Sequence, residues 1–336
     1  MSEVTRREFV RRAAIAGAAL SCLPGRIFAA GTPASSRSAF DTSTIQAFAS
    51  GLHGRVVLPS DPTYESARRI FSWNPRTEKH PAMIVRCGAA SDVAHAIEFA
   101  QVHKLEVAIR GGGHDVLGKS LCENGMVIDL SLMKAITVDT TQRVARVEAG
   151  VISDELNQAA RNVGLAAVLG CNPAVGISGL TLGGGLGWLL GRFGAACDNL
   201  RSVELITADA KAVVASADEN PDLFWTLHGG GGNFGVATSF EIDLHPAPPT
   251  VGGFVTYPRD KAREFYRFYR DYMKDAPDGL AVETSLDTRS ITAMVCYTGD
   301  PAQSDRTLKP LRSFGPLLHG SLEPMPYIEF PPPPLW

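Results

Sequence analysis

Arg110, three consecutive glycines, His114 and Asp115 are the residues of this chain whose types and spacing point most directly to chemistry. Glycine has no Cβ, so a glycine run lets the backbone reach positive φ and come close to a ligand. Successive N–H groups in such a turn form a concave nest for anions. The imidazole at the end of the nest adds a nucleophile in its neutral form. Taken alone, the same residues also describe a glycine turn ended by an ordinary histidine, because single glycine motifs have many false positives.

Two further glycine-rich stretches follow. One contains Val175, Gly176, Ser178, Gly179, Gly183, Gly184, Gly185 and Gly187, with Cys171 and Asn172 just before it. The other runs from Gly229 to Gly235 and includes Asn233, Phe234, Gly235 and Val236 at its close. Three loops with exposed backbone imply a large ligand that carries phosphates. The letters Gly230-x-Gly232-x-x-Gly235 fit the dinucleotide fingerprint, but that fingerprint needs a preceding strand and an acid about 20 residues on. Here the stretch 220–227 reads as helix and 250–259 carries no acid, so a nicotinamide cofactor finds little support.

Together, and in this order, the three motifs resemble the flavin-binding domain of the vanillyl-alcohol-oxidase and p-cresol-methylhydroxylase superfamily, in its berberine-bridge-enzyme-like branch. The resemblance runs from about Tyr64 to His245. It implies an α+β fold: a two-subdomain p-cresol-methylhydroxylase-type FAD-binding domain over 61–247, then an incomplete substrate domain over 251–325 made of an antiparallel sheet with helices over one face. It also implies a cofactor site of Arg110, Gly111, Gly112, Gly113, His114, Asp115, Gly118 and Ser120 in the first motif, with the residues of the second and third motifs named above.

In the family, the histidine matching His114 bonds to the C8-methyl carbon of FAD, which holds the cofactor and raises its potential. Many relatives add a cysteine link within Gly-x-Cys-x-x-Val-Gly. Aligned on Val175-Gly176, that position here holds Asn172, and Cys171 stands one residue early. Neighbouring side chains of an extended segment point to opposite sides, so a single link through His114 is expected. Val175 falls where relatives line the oxygen side of the flavin, and a small residue there suits an oxidase; a packing valine is the plain alternative. The family takes its base from the substrate domain or a C-terminal segment. Glu283 and Tyr297 lie in strand-like stretches, and nothing singles out either, so no catalytic residue is assigned.

Three readings remain. One is an oxidase that takes hydride from a small-molecule alcohol, sugar or aromatic, with O2 as acceptor. Another is a dehydrogenase of the same fold with a different acceptor. The third is an inactive fragment that at most binds flavin, since the chain stops before the family's closing segment and ends in a Pro-rich tail over 326–336. On that view the substrate sheet is expected to be unfinished, with an exposed edge and an uncovered apolar face.

The remaining elements must position these residues. The chain has 336 residues, 45% apolar, and a net charge of −3, which gives no support for nucleic acid as a partner. Residues 1–30 combine Arg6-Arg7 with a short apolar run from Ala13 to Leu23, as in a twin-arginine export signal. They imply the twin-arginine translocase as a partner, a periplasmic or secreted location, and no stable membrane anchor. Cysteines beyond Cys22 number five, with no metal-ligand spacing, so no structural metal is expected.

Residues 31–60 read as a linker with a short helix. Strands are expected at 82–86, 105–109, 126–130 and 143–148, and a helix from Ser91, as N-cap, to His103. A helix over 152–162 stops at Gly164, and 202–207 with 212–215 form a hairpin. A helix over 260–273 carries Phe265, Tyr266, Phe268, Tyr269 and Tyr272 and is expected to pack on a sheet built from 280–286 and 291–297. A helix-like stretch over 301–313 follows.

Overall fold

Parallel strands buried on both faces need apolar runs, and the chain supplies Met126, Val127 and Ile128 in the segment Met126–Asp129, where all four residues are buried. In the computed structural model, which describes residues 40–327, this segment (β4) lies between β2 (Met83–Arg86) and β3 (Val107–Arg110), parallel to both. Helix α3 (Ala90–His103) makes the crossover from β2 to β3. It ends on Lys104 in the left-handed region, at φ 54°, whose N–H donates back to the Ala100 carbonyl.

Two expectations are corrected at this end of the chain. Ser91 is not the N-cap; Ala89 holds that position. Asp92, one residue beyond Ser91, organises the turn instead: its fully buried carboxylate accepts from the N–H groups of His53, Gly54 and Gly88. The stretch 31–60 is more than a linker with a helix. After α1 (Thr42–Ser50) comes β1 (Arg55–Val57), which pairs antiparallel with β2 and completes a four-stranded sheet in the order β1-β2-β4-β3. A short helix, α2 (Tyr64–Arg68), follows β1.

The second subdomain is an antiparallel sheet of β5 (Ile136–Asp139), β6 (Val144–Glu148), β10 (Val236–Pro246), β8 (Leu200–Ile206) and β9 (Ala212–Ser216), in that order, with β7 (Leu165–Ala167) also on β10. The hairpin of β8 and β9 is as expected, with Ser202 opposite Ser216 and Ile206 opposite Ala212. Helix α4 (Ser153–Arg161) is capped by Glu155, which accepts from the Ile152 N–H at 2.8 Å. Gly164, at φ 73°, lies just past its end.

The third sheet runs β12 (Leu280–Leu286), β13 (Ser290–Tyr297), β11 (Pro249–Pro258), β14 (His319–Pro326). Helices α8 (Ala262–Lys274) and α9 (Ser304–Arg312) cover one face: Phe265, Leu308 and Leu311 are buried there with Val255, Ile291 and Val295. The aromatic set of α8 is this packing surface, as expected. The opposite face, expected to be uncovered, is covered in part: Phe254, opposite Met294, is 40% exposed. Met294 and Cys296 are buried there against Trp188, with Cys171, Ala281 and Tyr327 around them. Strands β12 and β14 are the sheet's edges. The export signal expected over 1–30 and the tail from 328 lie outside the described residues. Among the described residues, no helix is long and apolar enough to cross a membrane.

Candidate cofactor site

Strand β3 ends at Arg110, and the chain then turns through Gly111, Gly112 and Gly113 into His114. The second glycine stretch runs from the loop around Val175 and Gly176 into helix α5 (Ile177–Leu182). The two backbones meet directly. A Cβ on Gly112 would stand 2.4 Å from the Gly176 nitrogen, and one on Gly176 would stand 2.3 Å from the Gly112 nitrogen. Gly111 faces Ser178 in the same way, at 2.2 Å from its Oγ. Several glycines here thus serve loop-to-loop contact rather than ligand approach. Gly179 is different, with no atom within 4 Å of a built Cβ.

A cavity of about 680 Å³ lies along these loops, within the usual range for small-molecule and cofactor pockets. Of the expected residues, Gly111, Gly112, Gly113, His114, Asp115, Ser120, Val175, Gly176, Gly179 and Asn233 line it. The others are placed elsewhere. Arg110 is buried in an ion pair with Asp129, and Gly118 packs on Thr77. Ser178 lies behind Gly111, Gly185 against Ala196, Gly187 against the Leu169 carbonyl, and Gly235 against that of Ile206. Gly183 caps α5, Gly184 follows it, Phe234 is partly exposed, and Val236 is buried at the start of β10. These residues shape the loops without forming the wall. Residues that motif reading missed do form it: Val107, Ala108 and Ile109 along β3, Lys119, Leu180 and Gly232. No local signal marks a strand flank as a ligand wall. Helix α7 (Pro221–Thr226) precedes the third glycine stretch and β10 follows it, the reverse of the strand-then-helix context of a dinucleotide fingerprint.

His114 is held by its neighbours. Its ring stacks on Phe71 with centroids 3.9 Å apart and planes 14° from parallel, and the Phe71 N–H donates to the Gly113 carbonyl at 2.9 Å. The Nε2 atom of His114 is buried without a hydrogen-bond partner, as is Oγ of Ser120 on the same cavity. Burying polar atoms unsatisfied costs about 1–3 kcal/mol each, so a ligand that meets them recovers that cost. The donor set suits FAD: glycine N–H groups for a diphosphate, an open helix face at Gly179 for close approach, and a buried imidazole nitrogen.

Asp115 braces the loop. Burial pushes its carboxyl up, but the N–H groups of Leu117 at 2.8 Å, Ser120 at 2.7 Å and Lys119 outweigh this and hold it below the ordinary value. A depressed carboxyl stabilises the fold above its unfolded value, about 3.9 for aspartate. That contribution is lost as pH falls through the folded value. The Tm advantage of the wild type over Asp115→Asn is therefore expected near neutral pH and should shrink as pH falls below the ordinary aspartate value. A pH-independent gap in Tm would show that the carboxylate's charge is irrelevant to the loop.

Cys171 does not line the cavity. It packs against Trp188, Met294 and Cys296, and burial pushes its thiol up to about 12, with Glu283 beside it adding to the rise. Asn172, at the position of the family's second link, uses its side-chain oxygen locally and accepts from the Ala174 N–H at 2.9 Å.

An FAD binding domain family matches residues 81–216. The chain is 34% identical over 286 residues to (R)-6-hydroxynicotine oxidase of Paenarthrobacter nicotinovorans, covering 83% of this chain and 62% of that protein. It is 35% identical to an uncharacterized FAD-linked oxidoreductase of Bacillus subtilis, YgaK, covering 83% and 63%. Among solved structures it resembles 6-hydroxy-D-nicotine oxidase of Arthrobacter nicotinovorans at TM-score 0.79 and 34% identity, covering 83% of this chain and 63% of that one. A carbohydrate oxidase of Microdochium nivale matches at TM-score 0.74 and 26% identity, covering 85% and 62%. The chain thus spans a little over three fifths of the length of these relatives. Motifs, fold and relatives agree: the chain carries an FAD binding domain over residues 81–216 and is similar to FAD-linked oxidoreductases, as the resemblance to the vanillyl-alcohol-oxidase and p-cresol-methylhydroxylase superfamily implied.

Proposed function

We propose that this chain belongs to an oxidase that removes hydride from an alcohol carbon of a sugar or aromatic alcohol, with FAD bound covalently through His114 and O2 as the acceptor. The observation that carries the reading is the buried, partnerless Nε2 of His114 on a cavity shared by all three glycine motifs. When bound, FAD supplies the redox chemistry.

The chain's own residues hold and orient. The N–H groups of Gly111 to Gly113 would hold the cofactor's phosphates, Asp115 keeps the following turn closed, and Phe71 fixes the plane of the imidazole. Val175 offers a small apolar wall, which supports the oxidase reading over the dehydrogenase. Of the two residues weighed as a base, Tyr297 drops out: it is buried, and its hydroxyl donates to the Asp300 carbonyl at 3.0 Å. Glu283 stands opposite Met294 in the sheet, on the face turned away from α8 and α9, beside Cys171.

Oxygen uptake is the test, with sugars, aromatic alcohols and 6-hydroxynicotine as substrates. Peroxide formation with an alcohol is the expected result. Turnover only with an artificial acceptor would make the protein a dehydrogenase. Uptake only with 6-hydroxynicotine would move the substrate class to amines. We also propose export by the twin-arginine route, for which the support is the sequence of residues 1–30.

A further inference from the structure

A second cavity, of about 480 Å³, lies at the same glycine loop and has different walls. It opens at the carboxyl ends of the parallel strands, where ligands of open α/β sheets commonly bind. There the register sets Arg86, Asp129 and Arg110 side by side on β2, β4 and β3. Asp129 is fully buried, and its Oδ2 accepts from Arg110 at 2.5 Å and stands 3.4 Å from Nε of Arg86. One carboxylate thus serves two guanidinium groups, and Nε of Arg86 remains buried without a hydrogen bond.

The rim adds charge of the same sign. Arg55 lies directly opposite Arg86 across the β1–β2 pair, and Arg69 joins from just past α2; all four arginines line the cavity, with Asp129 as its only acid. Like charges directly opposite on paired strands are destabilising. The residues lining the cavity include four arginines and one acid, a formal excess of three positive charges in a chain whose net charge is −3; Arg86 and Arg110 share the carboxylate, and the Arg69 guanidinium lies over the Trp73 ring. Guanidinium pairs are suited to bidentate contact with phosphate-type oxyanions.

We propose that this arginine-lined cavity is a binding site for a phosphate-class oxyanion, separate from the flavin cavity and on the other side of the Gly111–His114 loop. His114 borders both cavities, and Phe71, stacked on it, lines the arginine side. Anion binding is therefore expected to perturb the flavin's absorption as well as to release heat.

The test is calorimetric titration of inorganic pyrophosphate into the full chain, with saturating FAD and without it. The rim residues Arg55 and Arg69 are exposed, so Arg55→Ala and Arg69→Ala spare the buried pair; Arg263→Ala, on the exposed side of α8, is the control. Saturable binding in both states is expected, weakened about tenfold by each rim substitution and by added salt, and unchanged in Arg263→Ala. Three results would overturn the proposal: no saturable binding, equal affinity in all variants, or binding that FAD abolishes. The last would make the cavity part of the cofactor's own diphosphate seat.

Discussion

His114→Ala is expected to remove acid-stable flavin from the protein, from about one per chain to none, and to slow substrate oxidation by at least about tenfold. The imidazole is half-buried, stacked on Phe71 and left with a buried, partnerless nitrogen on the cavity. The measurement is acid precipitation: yellow colour should stay with the wild-type pellet and wash out of the mutant. Cys171→Ala, run beside it, should keep its colour, because Cys171 packs against Trp188 and Cys296 rather than on the cavity. Flavin that washes out of a soluble, folded wild type would sink the covalent assignment while leaving flavin binding intact. Colour lost from Cys171→Ala but kept in His114→Ala would move the link to the cysteine.

Gly112→Ala and Gly176→Ala are expected to damage the fold itself, whereas Gly179→Ala should damage only the site. At the first two positions the new methyl would stand 2.4 Å and 2.3 Å from backbone nitrogen of the facing loop. Backbone cannot move aside as a flexible side chain can, so overpacking of about 3 kcal/mol is expected, a large share of the 5–15 kcal/mol that stabilises a typical protein. For a domain of this size, that corresponds to a fall of about 10 °C in Tm. Gly179 lies in α5 with open space before it, so alanine there should leave Tm unchanged or raise it by the helix propensity difference. Its methyl would enter the cavity wall and weaken FAD binding. Equal Tm losses at all three positions would refute the division between packing glycines and ligand-facing glycines.

That division separates what the two levels of description determine. Glycine, histidine and spacing are properties of the chain, so the order of the three motifs was enough to point to an FAD-binding chain and to single out His114 as a candidate. Local periodicity was enough for β4, for the β8–β9 hairpin and for the aromatic face of α8, because each depends on near neighbours and on which face must be apolar. The partner of each glycine was beyond local reading. Gly112 and Gly179 have the same side chain, and only the approach of two distant loops makes one a packing contact and the other a wall. Likewise β1, β11 and β14 acquire their strand character from partners far along the chain, so their own patterns carried little signal. Arg55 and Arg86 look like ordinary surface charge in the sequence, and Arg110 was read only with the glycines that follow it. Register across one sheet and the carboxylate of Asp129 bring them to one cavity. Sequence alone therefore determined which chemistry the chain carries. Tertiary structure decided which atoms face a ligand, because that depends on pairings between residues that the chain itself holds far apart.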